Sequence, residues 1–95
     1  MKNFNFLWIF LITCCYFKVN PSQVKKYHPA RELSRVKQIA QYLIYCQGAS
    51  CRVAGEVVGV DGSTAKYSIK TIAGLLDVGD LRTKQDIYNL TLLTK

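Results

Sequence analysis

Residues 4–17 read FNFLWIFLITCCYF, 14 consecutive residues without a charge, in which Asn5 and Thr13 are the clearly polar members. No other feature restricts the fold as strongly, because this much contiguous apolar surface has to be buried in protein or in lipid. As a helix the run spans about 21 Å at about 1.5 Å per residue, short of the roughly 30 Å of a bilayer core. Only the amino terminus and Lys2 precede it, and no small-x-small cleavage site follows before Lys18, so it lacks two marks of a secretory signal. Leu11-Ile12-Thr13-Cys14 departs from a lipobox at Thr13, where Gly, Ala or Ser is usual. Two readings stay open: residues 1–16 anchor the chain to a membrane, or they pack as a helix or strand on a domain formed by residues 17–95. An inserted segment followed by Lys18, Lys25, Lys26, Arg31, Arg35 and Lys37 would leave that domain on the cytoplasmic side. Both readings place the domain in the cytoplasm, tethered to the inner membrane face or free.

At 95 residues the chain holds one modest core. Its net charge of +7 is unevenly spread: residues 1–55 carry eight bases and one acid, and residues 56–95 carry five of each. The short length and the lack of a glycine-rich phosphate loop argue against a multi-substrate enzyme with a bound dinucleotide, and no cofactor is implied. Cys46 and Cys51 stand at C-x4-C with no second pair and no His-x-x-x-His to complete a zinc site, so no metal site is expected. Reduced thiols suit the cytoplasm, and a Cys46–Cys51 loop would close only in an oxidising compartment.

Turn residues punctuate the rest. Asn20-Pro21-Ser22-Gln23 reads as a loop, and His28-Pro29 as the N-cap and first position of a helix that runs to about Gln47. Leu33, Val36, Ala40, Leu43 and Ile44 form its apolar face, and Gly48 ends it in the left-handed conformation. Residues 52–60, RVAGEVVGV, are rich in Val and broken by Gly, which predicts a strand. Asp61-Gly62-Ser63 then reads as a hairpin turn into a strand over residues 64–69. KTIAGLL, residues 70–76, predicts a short helix ending near Gly79, and residues 87–93 alternate as a last strand. With a first strand at residues 16–19 the order is β-α-β-β-α-β. This predicts an α+β fold, a small open-faced sandwich in which a four-stranded antiparallel sheet carries its helices on one face.

That order, a His opening the first helix, and the segment Lys70-Thr71-Ile72-Ala73-Gly74-Leu75-Leu76-Asp77-Val78-Gly79 resemble the histidine-containing phosphocarrier (HPr) family of the bacterial sugar phosphotransferase system. The family pattern there is K-S-[IL]-[ML]-G-[LV]-[LM]-S-L-[GA]. Phe17-Lys18-Val19 is similar to the family's first strand and Asp86-Ile87-Tyr88-Asn89-Leu90 to its last. The usual H-A-R-P-A is replaced by His28-Pro29-Ala30-Arg31-Glu32, and the chain stops about where the third helix would begin. The resemblance implies a phosphocarrier rather than a stand-alone enzyme. His28 would accept a phosphoryl group from enzyme I, and Arg31 would steady it before transfer to sugar-specific permease components. Thr71 takes the place of a regulatory Ser phosphorylated by a kinase, and Ile72, Leu75 and Leu76 the place of the partner-docking surface. An imidazole at a helix N-terminus suits this chemistry, since it is unprotonated near neutrality and faces free N–H groups. Equally, a His before Pro serves as a plain cap, Thr71 as another, and apolar residues at helical spacing as core.

The alternatives are a non-catalytic HPr-like regulatory module and a membrane-tethered binding module whose basic patch meets anionic lipid. Nucleic acid is not expected as a partner. Lys25, Lys26, Arg31, Arg35 and Lys37 cluster, but no RNP-type aromatic motif occurs. Gly59-Val60-Asp61-Gly62 matches GxxG but falls between predicted strands, whereas such a loop clamps RNA from between helices.

Overall fold

Apolar residues recur every three to four positions along the described segments, and these segments answer with helices. The computed structural model describes residues 2–25 and 31–94. Its elements are α1 (Lys2–Tyr16), α2 (Pro21–Lys25), α3 (Arg31–Cys46), α4 (Cys51–Val58), α5 (Gly62–Asp77) and α6 (Leu81–Leu93). α3 is the central element: α1, α2, α4, α5 and α6 all pack against it. Its buried stripe is Val36, Ile39, Ala40, Leu43 and Ile44, with Leu33 half-buried at its start. This is the expected face with Ile39 added, and Gly48 ends the helix at φ 103°, as its lack of a Cβ permits. The proposed start at His28 and Pro29 lies outside the described residues.

α1 packs one side of the apolar run against the rest of the fold. Phe6, Ile9, Phe10, Thr13 and Cys14 are buried in the core, and the Thr13 hydroxyl donates to the Ile9 carbonyl at 2.7 Å, which satisfies it without water. Leu7, Trp8 and Leu11 remain exposed on the opposite face. Among the described residues no helix is long and apolar enough to cross a membrane. The loop expected at residues 20–23 is the start of α2: Asn20 Oδ1 accepts from the Ser22 N–H at 2.9 Å and from its hydroxyl at 2.7 Å, and Val24 is fully buried.

The expected α+β sandwich is not what forms. Among the described residues there is no strand, and the four segments assigned to the sheet are helical or adjoin helices. Residues 16–19 are the end of α1 and the turn after it. Residues 52–60 are α4 and its cap, residues 64–69 belong to α5, and residues 87–93 belong to α6. The physical reason is the same in each case. Val53 and Val57, and Ala54 and Val58, are four residues apart, so a helix turns each pair to one side. The helix penalty of a β-branched residue is at most about 0.7 kcal/mol, while burying a Val contributes about 1.5 kcal/mol or more. In α5, Ala65, Ile69 and Ile72 keep the helical period, and in α6 Thr83, Ile87 and Leu90 do so.

The cysteines are free, and burial separates them: Cys14 is inside, while Cys15 and Cys46 are exposed. Burial first, with the neighbouring Cys15 second, pushes the Cys14 thiol from 9.0 up to about 11. Two outcomes are expected. Iodoacetamide at pH 8 should label Cys15 and Cys46 and spare Cys14, which mass mapping reads directly. Stability should fall as pH rises from about 9 towards about 11, because the unfolded chain then loses a proton that the folded chain keeps.

Candidate functional site

Local chemistry explains the joint between α4 and α5. Ser50 caps α4, its side chain accepting from the Val53 N–H at 3.2 Å, and Gly59 ends the helix at φ 85° in the left-handed region. Only two residues, Val60 and Asp61, then separate that cap from α5. Asp61 caps α5: its Oδ1 accepts from the Thr64 N–H at 2.8 Å and from the Ser63 hydroxyl at 3.1 Å. These bonds, the Thr64 N–H foremost, hold the carboxyl below the ordinary aspartate range. So tight a turn brings its own carbonyls onto α4 at Gly55. A Cβ there would lie 2.7 Å from the Val60 oxygen and 2.9 Å from that of Asp61. α4 and α5 pack on each other, and both pack on α3, so three helices hold the joint in one arrangement.

α5 buries Ala65, Ser68, Ile69 and Ile72 and turns the opposite side outward. Ser63, Lys66, Tyr67, Lys70 and Gly74 recur at helical spacing on that outer side, and all are exposed, Tyr67 by 68%. Neither Lys66 nor Lys70 is in an ion pair among the described residues. On α4, Arg52 is exposed and its ion-pair partner among the described residues is the exposed Glu56, at 3.5 Å, a pair worth little in water. The outer side of the joint therefore combines two free ammonium groups, one aromatic ring and two hydroxyls on Ser63 and Thr64. The positive end of α5 already has Asp61 as its anion, so side chains rather than the helix terminus would hold a ligand's negative charge.

A second polar group lies where α6 meets α1 and α3. The Arg35 guanidinium reaches Asp86 Oδ2 at 2.9 Å and Thr83 Oγ1 at 3.4 Å. Tyr16 donates to Asp86 Oδ1 at 2.9 Å, and Asn89 donates to the Tyr16 oxygen at 3.0 Å. Thr83 donates to Asp80 Oδ2 at 2.6 Å, while its own N–H caps the helix on the same oxygen at 3.0 Å. The Thr83 bonds hold the Asp80 carboxyl below its usual range. Nearly every polar group here is engaged by another of the chain's own, which suits a clasp better than a ligand site.

The expected site residues are only partly described. His28 lies outside the described residues, and Arg31 opens α3 with its side chain likewise undescribed. Thr71 is not at a helix start: it is the tenth residue of α5, and its hydroxyl donates back to the Tyr67 carbonyl at 2.9 Å. Ile72 is fully buried, and Leu75 and Leu76 are half-buried and pack against the core. Sequence reasoning missed Ser63, Lys66, Tyr67 and Lys70. The signal was Asp61-Gly62-Ser63-Thr64, an N-cap with its acceptor three residues ahead of a helical apolar period, read instead as a hairpin turn. The chain matches no family model, no curated protein and no solved structure.

Proposed function

We propose that this protein binds double-stranded DNA through a helix–turn–helix formed by α4 and α5. The observation that carries this reading is the joint itself: two helices linked through Gly59, Val60 and Asp61, locked by the close approach at Gly55, with the outer side of the second helix basic and unpartnered. Helix–turn–helix modules join two helices through a turn of three or four residues that often contains Gly, and set the second in the major groove. Ser63, Lys66, Tyr67 and Lys70 on α5 are then the side chains that reach base edges and flanking phosphates. Lysine donates to the guanine O6 and N7 acceptors, and hydroxyls serve either kind of base. Ser50 and Arg52 at the start of α4 lie where the first helix crosses the backbone. The net charge of +7 adds a long-range attraction for a polyanion. The expectation against nucleic acid placed residues 59–62 between strands. They lie between helices, but among the described residues there is no sheet of the kind that accompanies an RNA-clamping GxxG loop. The phosphocarrier expectation rested on the likeness of residues 70–79, on an element order with a sheet that the described residues lack, and on His28 outside them, and no observed feature adds to it.

Titration of the full chain with a fluorescent duplex of random sequence at several salt concentrations tests the proposal. Log K should fall linearly with log salt, and the Lys66→Ala/Lys70→Ala double variant should flatten that slope by about 1.8, or about 0.9 for each phosphate no longer neutralised. Absence of binding at low salt, or a slope unchanged in the double variant, would overturn it.

A further inference from the structure

We propose that the outward face of α6 is the docking surface for a second copy of this chain, through antiparallel α6–α6 pairing. The inference goes beyond DNA binding and does not depend on it.

α6 carries apolar side chains on both of its sides: Leu90 and the half-buried Ile87 face the core, while large apolar residues also stand outward beside Arg82 and Lys84. Thr83, Asp86 and Asn89 turn inward to the Arg35 and Tyr16 groups, whereas Leu81, Tyr88, Leu92 and Leu93 turn outward. Leu81 is 81% exposed, Tyr88 62%, and Val78 just before the helix 80%. A surface helix normally keeps its outer side polar, so an outward stripe of large apolar side chains points to something that covers it. Beside this face runs an open groove of about 750 Å³, lined by Leu76, Leu81, Lys84, Gln85, Ile87, Tyr88 and Thr91. A groove next to projecting apolar side chains is what a self-complementary interface requires, each copy offering both the knob and the recess.

Charge and area select the occupant. Leu81, Tyr88 and Leu92 follow at intervals of seven and four, one stripe of a helix, and Lys84 is the cation on it. Parallel pairing in register would stack Lys84 on its own counterpart. Antiparallel pairing centred between Asp86 and Ile87 instead sets Leu81 against Leu92 of the second copy and offsets the two Lys84 positions by about 7 Å along the axis, at about 1.5 Å per residue. Covering Val78, Leu81, Tyr88, Leu92 and Leu93 on both copies removes on the order of 1,000 Å² from water, the lower bound of a specific interface.

Sedimentation equilibrium of the full chain across the micromolar range tests this. The mass should rise from 10.8 kDa to twice that value, and hydrogen exchange of the α6 amides should slow as concentration rises. Leu81→Glu and Tyr88→Lys should each weaken the dimer about tenfold or more, with circular dichroism unchanged because both side chains lie outside the core. A chain that stays monomeric overturns the proposal. So does a dimer indifferent to both substitutions, or one whose protection falls on Leu7, Trp8 and Leu11 of α1. A monomer that floats with phosphatidylglycerol vesicles overturns it in favour of lipid.

Discussion

Gly55→Ala should destabilise the protein by about 3 kcal/mol, the upper end of what overpacking usually costs. In an exposed helix interior the same change stabilises by about 1 kcal/mol, because Ala has the better helix propensity. The sign of the effect therefore reports the packing. The new methyl would meet the Val60 and Asp61 carbonyl oxygens at 2.7 and 2.9 Å and the Ala65 Cβ at 3.2 Å. Two of these three are backbone atoms of the turn, which cannot rotate away as a flexible side chain would. The clash can be relieved only by separating α4 from α5, so DNA affinity should fall along with the melting temperature. At about 4–8 °C per kcal/mol for a domain of this size, the midpoint should drop by about 12–24 °C in a thermal scan. A midpoint that rises would mean that α4 and α5 are held less closely than these distances require.

Asp86→Ala should cost about 3 kcal/mol through a different mechanism. The carboxylate receives Arg35 and Tyr16 at 2.9 Å each, and the Arg35 and Asp86 side chains are only 18% and 13% exposed. Removing one partner of a buried pair leaves the other's charge uncompensated, and the low end of the usual 3–5 kcal/mol applies because this pair retains some contact with water. Among the described residues Arg35 Nε has no partner, so within them the guanidinium has little to fall back on beyond the long Thr83 contacts. Asp86→Asn, which can still accept from Tyr16, should cost less. An Arg35→Met/Asp86→Leu double variant should recover much of the loss, since apolar replacement of a whole buried pair is often neutral or better. Chemical denaturation of the four chains gives this comparison. Equal losses in the single and double variants would show that the polar groups contribute through packing alone.

What could be read from the sequence depended on whether burial and local preference agreed. In α3 they agree: Val36, Ala40, Leu43 and Ile44 mark one face, and Gly48 ends the helix as a cap should. The burial of Phe6 and Phe10 also follows from the apolar run, whereas Trp8 on the far side of α1 does not. In α4 and α5 the two levels disagree. Val53, Val57, Val58 and Val60 raise strand propensity, and Gly55 and Gly59 suggest broken structure, yet the buried positions keep a helical period. Gly55 itself exists for a contact between turn and helix that no local pattern records. The same misreading hid the candidate site, because Lys66, Tyr67 and Lys70 fall on one side only when residues 62–77 form a single helix. In α6 the alternation of residues 87–93 mixes inward Leu90 with outward Leu92 and Leu93, a pattern set by the Arg35 and Tyr16 groups elsewhere in the chain.

The Tyr16–Asp86 hydrogen bond joins positions 70 apart, whereas α3, α4 and α5 follow one another through turns of a few residues. Closing a loop of that length costs about 4 kcal/mol in chain entropy by the logarithmic rule, and nothing is gained until the loop is shut. Assembly is accordingly expected to start from the low-contact-order trio and to end when α1 and α6 meet. In reverse, that junction should part first, as a sub-global opening that leaves α3, α4 and α5 together. Cys14 sits on α1, inside, and should become reactive only when α1 lifts from the helices it packs on, α3 foremost. Alkylation of this one thiol, followed over time, should thus act as a clock for how often the start of the chain lets go of the rest.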